Sequence, residues 1–172
     1  MLNLKQYIRD IPNFPKPGII FKDITPLLAD GVAFHAVVDQ VADPYRGRVD
    51  MVLGIESRGF IIGAAVAYAL QAGLAVVRKP GKLPALTFAA QYALEYGNDT
   101  LEIHRDAFGA PCRVLIVDDL LATGGTAHAA VELVDRIGGQ VIACTFLIEL
   151  TMLKGRDRLH PYPVSSLIQY AD

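Results

Sequence analysis

The sequence predicts one α/β domain, in which helices flank a mainly parallel central sheet. Short apolar segments alternate with helical patterns along most of the chain, and this alternation is typical of strand–helix–strand units with parallel strands. The chain has 172 residues, of which 52% are hydrophobic, and this is enough to enclose one core. Charged residues make up only 20%, which argues against a disordered chain.

The predicted elements follow in strand–helix order after an initial helix. Residues 59–71 are rich in alanine and apolar nearly all round, so this helix is expected to be buried on most sides. Residues 126–137 carry an apolar stripe at helical spacing, and Gly138-Gly139 ends it. The full prediction is helices at 31–42, 59–71 and 126–137 and strands at 50–56, 74–79, 113–117 and 141–148.

Two segments depart from this alternation. Residues 12–18, PNFPKPG, are rich in proline and must be extended or turning, and they belong to an N-terminal segment, 1–30. Residues 83–105 contain two strand-like runs on either side of Gly97-Asn98-Asp99, which predicts a β-hairpin. A long excursion from a compact α/β domain is often an active-site lid.

Charge and composition argue against several classes of protein. The net charge of −2 gives no general attraction to nucleic acid or to anionic lipid. Cys112 and Cys144 form no CxxC pair, so neither a disulfide framework nor a zinc site is expected, as in a reducing cytosol. The most apolar run, 60–70, is shorter than the roughly 20 residues of a membrane span. We therefore expect a cytoplasmic protein with no nucleic-acid or membrane partner.

The most informative stretch is VLIVDDLLATGGT, residues 114–126. Its apolar strand leads into Asp118 and Asp119, which would lie at the carboxyl edge of the sheet, where ligands bind in this fold class. The residues that follow form a loop before a helix N-terminus, and backbone N–H groups in such a loop can hold phosphate. The candidate phosphate-binding residues are Ala122, Thr123, Gly124, Gly125 and Thr126.

Phosphate and carboxylate repel each other, so a ligand of this stretch must satisfy both. A ribose 5-phosphate does so, because its phosphate would take the loop while its vicinal hydroxyls donate to the carboxylates. The acidic pair could also offset positive charge that builds on a sugar ring during substitution at the anomeric carbon. The plainer alternative is that Asp118 and Asp119 cap the following turn and that the glycines only bend the chain.

VLIVDDLLATGGT also resembles the binding motif for 5-phosphoribosyl-1-pyrophosphate (PRPP) of the type I phosphoribosyltransferases. Further segments resemble the adenine-specific branch of that family: FPKPGIIFKDITPLL (14–28), ESRGF (56–60), RKPGKLP (78–84), LEYG (94–97) and ELTMLKG (149–155). The resemblance implies one domain over residues 1–172 with the type I phosphoribosyltransferase fold, a small N-terminal hood and a hairpin lid. It implies transfer of phosphoribose from PRPP to adenine, giving AMP and pyrophosphate in purine salvage, by an enzyme that is usually a homodimer.

The resemblance assigns the pyrophosphate to two segments. In ESRGF, Ser57 and Arg58 are expected to hold it, with a cis peptide bond between Glu56 and Ser57. In RKPGKLP, Arg78 and Lys82 are expected on the pyrophosphate side, from the same subunit or across a subunit boundary. Mg²⁺ is expected to arrive with the substrate, whose phosphates and hydroxyls are hard oxygen ligands, and no metal ligand is assigned to the protein. Without the resemblance, ESRGF would be an ordinary turn and RKPGKLP a solvated loop.

The resemblance places adenine in a pocket under the hood. Phe21 offers an aromatic face for a flat purine, and the backbone around Ile20 and Lys22 meets the edge of the base. Many relatives carry Arg where Lys22 stands, and Lys cannot copy a planar two-donor contact. Arg58 and Leu120 complete the predicted adenine-binding set. The alternative is that Phe21 is simply a core residue.

The catalytic residues are expected in the lid and in the acidic pair. Glu95 is the candidate general base for the N9 proton of adenine, and Tyr96 would cover the sugar-phosphate side. Asp118 and Asp119 would stabilise an oxocarbenium-like transition state. Two rival functions stay open: a phosphoribosyltransferase for xanthine, hypoxanthine or guanine, in which Lys22 donates to the 6-oxo group, and a PRPP-sensing regulator that binds nucleic acid.

Overall fold

The computed structural model describes residues 2–94 and 97–171. The strands are β1 (Arg9–Pro12), β2 (Ile20–Asp23), β3 (Met51–Ile55), β4 (Gly73–Val77), β5 (Thr87–Leu94), β6 (Gly97–His104), β7 (Arg113–Leu121), β8 (Gln140–Leu150) and β9 (Val164–Tyr170). The α-helices are α1 (Thr25–Ala29), α2 (Gly31–Ala42), α3 (Arg58–Leu70) and α4 (Gly125–Ile137), and short 3-10 helices lie at Leu4–Tyr7, Asp43–Tyr45, Thr151–Leu153 and Gly155–Leu159.

The centre of the molecule is a parallel five-stranded sheet in the order β4-β3-β7-β8-β9. Side chains alternate between its faces: Leu53 and Ile55 pack with α4 and the β5–β6 hairpin, whereas Val52 packs with α2 and α3. Both faces are therefore buried, which explains why these strands read as continuous apolar runs in the sequence. The predicted α/β fold with a parallel sheet is confirmed.

Most of the predicted elements of this sheet and its helices are confirmed with shifts of one or two residues, and the helix at 31–42 keeps its bounds. One prediction is too short: the strand placed at 113–117 runs on to Leu121 because β8 continues to pair with it, Leu121 opposite Glu149. The acidic pair therefore lies within the last residues of β7. Strand β9 was not predicted, since its outer segment VSSLIQY is half polar, as suits an edge strand.

The two excursions form separate antiparallel hairpins, β1 with β2 and β5 with β6. The predicted hairpin within 83–105 is confirmed, but the turn predicted at Gly97-Asn98-Asp99 is wrong, because these residues begin β6 and Gly97 pairs with Leu94. Asp99 is held in the strand by the neighbouring side chains of Lys79 and Tyr92. Within the described ranges, no helix is both long and apolar enough for a membrane span.

Candidate active site

A cavity of about 390 Å³ opens at the carboxyl ends of β3 and β7. This volume falls within the roughly 300–1,000 Å³ of small-molecule sites, and the place is where open parallel sheets bind ligands. The acidic pair, the glycine loop and the loop after β3 all face it. Its lining comprises residues 56–58, 118–124, Lys79, Tyr92, Leu101, Thr126 and Ala127.

The acidic pair is held by backbone on one side and by an arginine on the other. The Oδ1 atom of Asp118 accepts the backbone N–H of Asp119 at 2.9 Å. Space for this carboxylate comes from Gly59, where a Cβ atom would lie 2.6 Å from Asp118 Oδ1. Asp119 is 5% exposed, and its Oδ2 atom lies 2.8 Å from Nε of Arg58. A side chain at position 59 would clash with the Asp118 carboxylate, so Gly59 is needed for the acidic pair to take this position.

Burial makes the charge of both carboxylates unfavourable. It raises the pKa of Asp118 well above the ordinary value of 3.8, and the neighbouring Asp119 raises it further. Burial also raises the pKa of Asp119, although the Arg58 guanidinium opposes this rise. A cationic group beside the pair would therefore favour the charged form of both carboxyls.

Removal of the Asp118 charge should stabilise the fold. Because the folded-state pKa is raised above 3.8, the native state binds more protons than the unfolded chain, so stability is lost as pH rises through this window. We expect Asp118→Asn to have a higher melting temperature than the natural protein at pH 7 and a vanishing difference near pH 4. Calorimetry across this range checks this, with the exposed Asp106→Asn as the control; a lower melting temperature at pH 7 would contradict it.

The glycine loop ends at the N-terminus of α4. Gly124 has φ +82°, a left-handed conformation that favours glycine, and its carbonyl accepts the N–H of His128 at 2.9 Å as the first bond of the helix. The N–H groups before His128 have no carbonyl partner within the helix and can bind an anion. Thr123 and Thr126 line the cavity beside them and add hydroxyl donors.

Arg58 joins the acidic pair to the N-terminal hood. Its guanidinium lies 4.8 Å from the ring centroid of Phe21, and Phe14 meets Phe21 edge-on with centroids 5.2 Å apart. The predicted cis peptide bond between Glu56 and Ser57 is present just before Arg58. Phe21 therefore contacts Arg58, which lines the cavity, and the alternative that Phe21 is simply a core residue does not account for this contact.

The basic segment RKPGKLP is arranged differently from its prediction. An Nη atom of Arg78 lies 3.0 Å from Oε1 of Glu56, while the backbone N–H of Lys79 donates to Oε2 at 2.7 Å. The Arg78 contact, with this N–H, lowers the pKa of Glu56. The side chain of Lys82 is exposed and does not line the cavity. Within one chain, therefore, Lys79 is the basic residue of this segment that reaches the cavity.

Lys79 and Tyr92 were not predicted as site residues. The Nζ atom of Lys79 donates to the Tyr92 hydroxyl at 2.9 Å and forms an ion pair with Asp99, and Tyr92 donates to Asp99 at 3.1 Å. Burial would lower the pKa of Lys79, but the hydrogen bonds to Asp99 and Tyr92 outweigh it and raise the pKa. These contacts fix the β5–β6 hairpin, near its turn, to the cavity wall. The basic run 78–82 signalled Lys79, whereas nothing in the sequence paired it with the hairpin.

The predicted adenine-binding residues are only partly brought together. Leu120 lines the cavity, but the side chain of Ile20 is 55% exposed. Lys22 Nζ lies 2.9 Å from Asp10 and 4.0 Å from the ring centroid of Tyr170, away from the cavity lining. The predictions for Glu95 and Tyr96 lie outside the described residues.

The sequence is similar to a known protein family over most of its length. A family model described as phosphoribosyl transferase domain matches residues 25–171. The chain is similar to the adenine phosphoribosyltransferase of Syntrophotalea carbinolica, with 56% identity over 99% of this chain and 100% of that protein. It is also similar to the adenine phosphoribosyltransferase of Solibacter usitatus, with 59% identity over 99% of each chain.

Solved structures of the same kind share the fold. Adenine phosphoribosyltransferase from Thermoanaerobacter pseudethanolicus has a TM-score of 0.94 at 52% identity, covering 97% of this chain and 98% of its own. The Saccharomyces cerevisiae enzyme, complexed with D-2,5-dideoxy-2,5-imino-altritol 1,6-bisphosphate and adenine, has a TM-score of 0.90 at 41% identity, covering 95% and 96%.

Proposed function

The chain belongs to the adenine phosphoribosyltransferase family, and on this premise we propose that it transfers the 5-phosphoribosyl group of PRPP to adenine. This makes it a glycosyltransferase (a pentosyltransferase) whose products are AMP and pyrophosphate. The reaction returns a free purine to the nucleotide pool, which is purine salvage. Cys112 and Cys144 are buried and unpaired, which supports the cytoplasmic location expected from the sequence.

One observation carries the proposal: the acidic pair and the glycine loop line the same cavity. Because this loop, residues 122–126, is proposed to bind the 5-phosphate, we call it the phosphate loop. Asp118 and Asp119 would offer carboxylates to sugar hydroxyls, and the loop residues 122–124 with the first turn of α4 would offer backbone N–H groups to the 5-phosphate. A ribose ring that bridges these groups would have its anomeric carbon within the cavity.

The acidic pair acts on the charge that develops during substitution. As adenine N9 attacks the anomeric carbon and the bond to the pyrophosphate oxygen breaks, positive charge grows on the ribose ring. Asp118 and Asp119 would stabilise this charge, and because burial makes their own charge costly, they gain most from a cationic transition state. Glu95 stays our predicted acceptor of the N9 proton, and Tyr96 our predicted cover of the sugar phosphate.

The pyrophosphate would lie against the loop after β3. Ser57, Arg58 and Lys79 line the cavity there, and Lys79 would exchange part of its contact with Asp99 for a phosphate oxygen. Arg78 orients Glu56 in this chain. Of the two possibilities left open for Lys82, its exposed side chain supports action across a subunit boundary.

Mg²⁺ is proposed to bind mainly through the substrate. Among residues 2–94 and 97–171, no three His, Cys, Asp or Glu side chains gather as a metal site. Glu56 and Asp119 already pair with Arg78 and Arg58, so phosphate and ribose oxygens are the better ligands. The ion would offset the charge of the leaving pyrophosphate.

The test is formation of AMP from adenine and PRPP, with and without Mg²⁺, beside parallel assays with hypoxanthine, guanine and xanthine. We expect turnover with adenine only, and loss of turnover on chelation of Mg²⁺. Lys22 is engaged by Asp10, which disfavours it as a donor to a 6-oxo group. Preferred turnover of a 6-oxopurine would overturn the proposed substrate.

A homodimer is the proposed assembly, and α3 offers an apolar surface for it. Tyr68 is 88% exposed and Ile61 is 45% exposed, and residues seven apart lie on one face of a helix. We expect Tyr68→Glu to shift the sedimentation coefficient from dimer to monomer. Val32→Glu, at a 72% exposed position on α2, is the control and should stay dimeric. A natural protein that sediments as a monomer at micromolar concentration would contradict the assembly.

A further inference from the structure

The segment ELTMLKG, which matches the family but has no role in the site described above, leads to the back of the phosphate loop. Gly155 begins the 3-10 helix Gly155–Leu159 and meets Gly124 backbone to backbone. A Cβ atom at Gly124 would lie 2.4 Å from the carbonyl oxygen of Gly155. A Cβ atom at Gly155 would lie 2.3 Å from the carbonyl oxygen of Ala122 and 3.1 Å from the nitrogen of Gly124. The two loops therefore touch with no room for a side chain on either.

An ion pair between the partly exposed Arg156 and the buried Glu149 fixes the 3-10 segment in this position. Glu149, near the end of β8, is 2% exposed, and its two carboxylate oxygens each accept a hydrogen bond from Arg156 at 2.6 Å. Arg156 also donates to the carbonyl of Val164 at 2.7 Å, and the Ser166 hydroxyl donates to Glu149 at 2.5 Å. Burial would raise the pKa of Glu149, but the hydrogen bonds from Arg156 and Ser166 outweigh it and lower the pKa. The charged pair is thus fully bonded to two strands of the sheet.

The segment is anchored at its other end as well. Leu159 closes the 3-10 helix and is 1% exposed within the core on the α4 side of the sheet. Gly155 is therefore held between an ion pair next to it and a core residue four positions on. Such a support cannot move away from Gly124 without breaking one of these contacts.

We propose that Glu149, Arg156 and Gly155 are positioning residues that set the shape of the phosphate loop, and through it the affinity for the 5-phosphate of the ribose. None of the three lines the cavity, so they act only through residues 122–124. The proposal rests on the proposed function, because it concerns how that site holds PRPP. A small displacement of groups that position a substrate can cost about 10²-fold in rate or affinity.

The test compares Arg156→Lys and Gly155→Ala with the natural protein. Lys cannot form the two-pronged contact with Glu149, and Gly155→Ala leaves the ion pair whole while it places a methyl group against the loop. We expect the KM for PRPP and the Kd for ribose 5-phosphate to rise about 10- to 100-fold in both variants, with the KM for adenine unchanged. Arg113→Lys is the matched control, because Arg113 holds Asp50 at 2.7 and 3.0 Å in a similar contact at the opposite end of the sheet.

The outcomes separate the two proposals. A loss of stability alone would lower the active fraction and leave both constants unchanged, and folded variants with unchanged ribose 5-phosphate affinity would overturn the positioning role. If the natural protein makes no AMP, the proposed function fails, whereas the ribose 5-phosphate titration still tests the positioning role of Glu149, Arg156 and Gly155 because it needs no adenine. If the natural protein makes AMP but does not bind ribose 5-phosphate, the KM for PRPP decides the positioning role, and an unchanged KM in both variants overturns it.

Discussion

Asp119→Asn should lower kcat by about 10²–10³-fold while the fold is retained. Loss of one preorganised electrostatic contact to a transition state typically costs about 2.7–4 kcal/mol, and Asp119 is buried beside Arg58 at 2.8 Å. The substitution removes the negative charge, leaves that guanidinium without its partner and presents an amide to a cationic ribose. Steady-state kinetics with saturating adenine and PRPP measures the effect.

The control for this variant is Asp50→Asn. Asp50 also loses an arginine partner, Arg113, but lies at the amino end of β3, away from the cavity. Its kcat should match that of the natural protein. A kcat for Asp119→Asn within threefold of the natural value, with Asp50→Asn equally active, would remove Asp119 from the catalytic site.

Gly124→Ala should raise the KM for PRPP by about 10- to 100-fold. A left-handed conformation costs a residue other than glycine about 1–2 kcal/mol, and φ is +82° at Gly124. The added Cβ atom would also lie 2.4 Å from the carbonyl oxygen of Gly155, so the loop must shift away from its support. Kinetics over a range of PRPP concentrations, together with ribose 5-phosphate titration, measures the loss.

Gly138→Ala is the matched control because it lies at the other end of α4. Gly138 has φ +88°, and a Cβ atom there would meet only Ala110 Cβ, at 3.1 Å. This variant should lose a similar amount of stability and keep its KM for PRPP. If both variants show the same KM, the effect at Gly124 is a general loss of stability and not a change in the phosphate loop.

Some parts of the site could be predicted from the sequence and others could not. VLIVDDLLATGGT predicted its own arrangement well, because an apolar strand, a carboxylate pair and a helix N-terminus are contiguous and their geometry is local. The contacts of the basic segment RKPGKLP could not be predicted. Nothing in its own residues indicates that Arg78 pairs with Glu56 or that Lys79 pairs with Asp99 on the hairpin. Those pairs join residues 20 or more positions apart.

The hood and the lid show the same limit. Proline content predicted an extended N-terminal segment, two strand-like runs predicted a hairpin, and the family resemblance implied their roles as hood and lid. The turn at 97–99 was misplaced because Asp99 is held in β6 by Lys79 and Tyr92. The same holds for Lys22. The family resemblance predicted that it lies near the edge of the adenine, whereas its contacts with Asp10 and Tyr170 depend on how the N-terminal segment packs.

The sequence by itself determined the fold class, the order of strands and helices, and the position of the acidic pair before a glycine-containing loop, since each depends on periodicity or on neighbouring residues. Only the tertiary structure decided that Arg58 pairs with Asp119, that Lys79 faces the cavity, and that Gly155 supports Gly124 from behind. These contacts arise where separate loops converge at the carboxyl edge of the sheet. Their distances depend on the packing of the whole core, and no local pattern of residues encodes them.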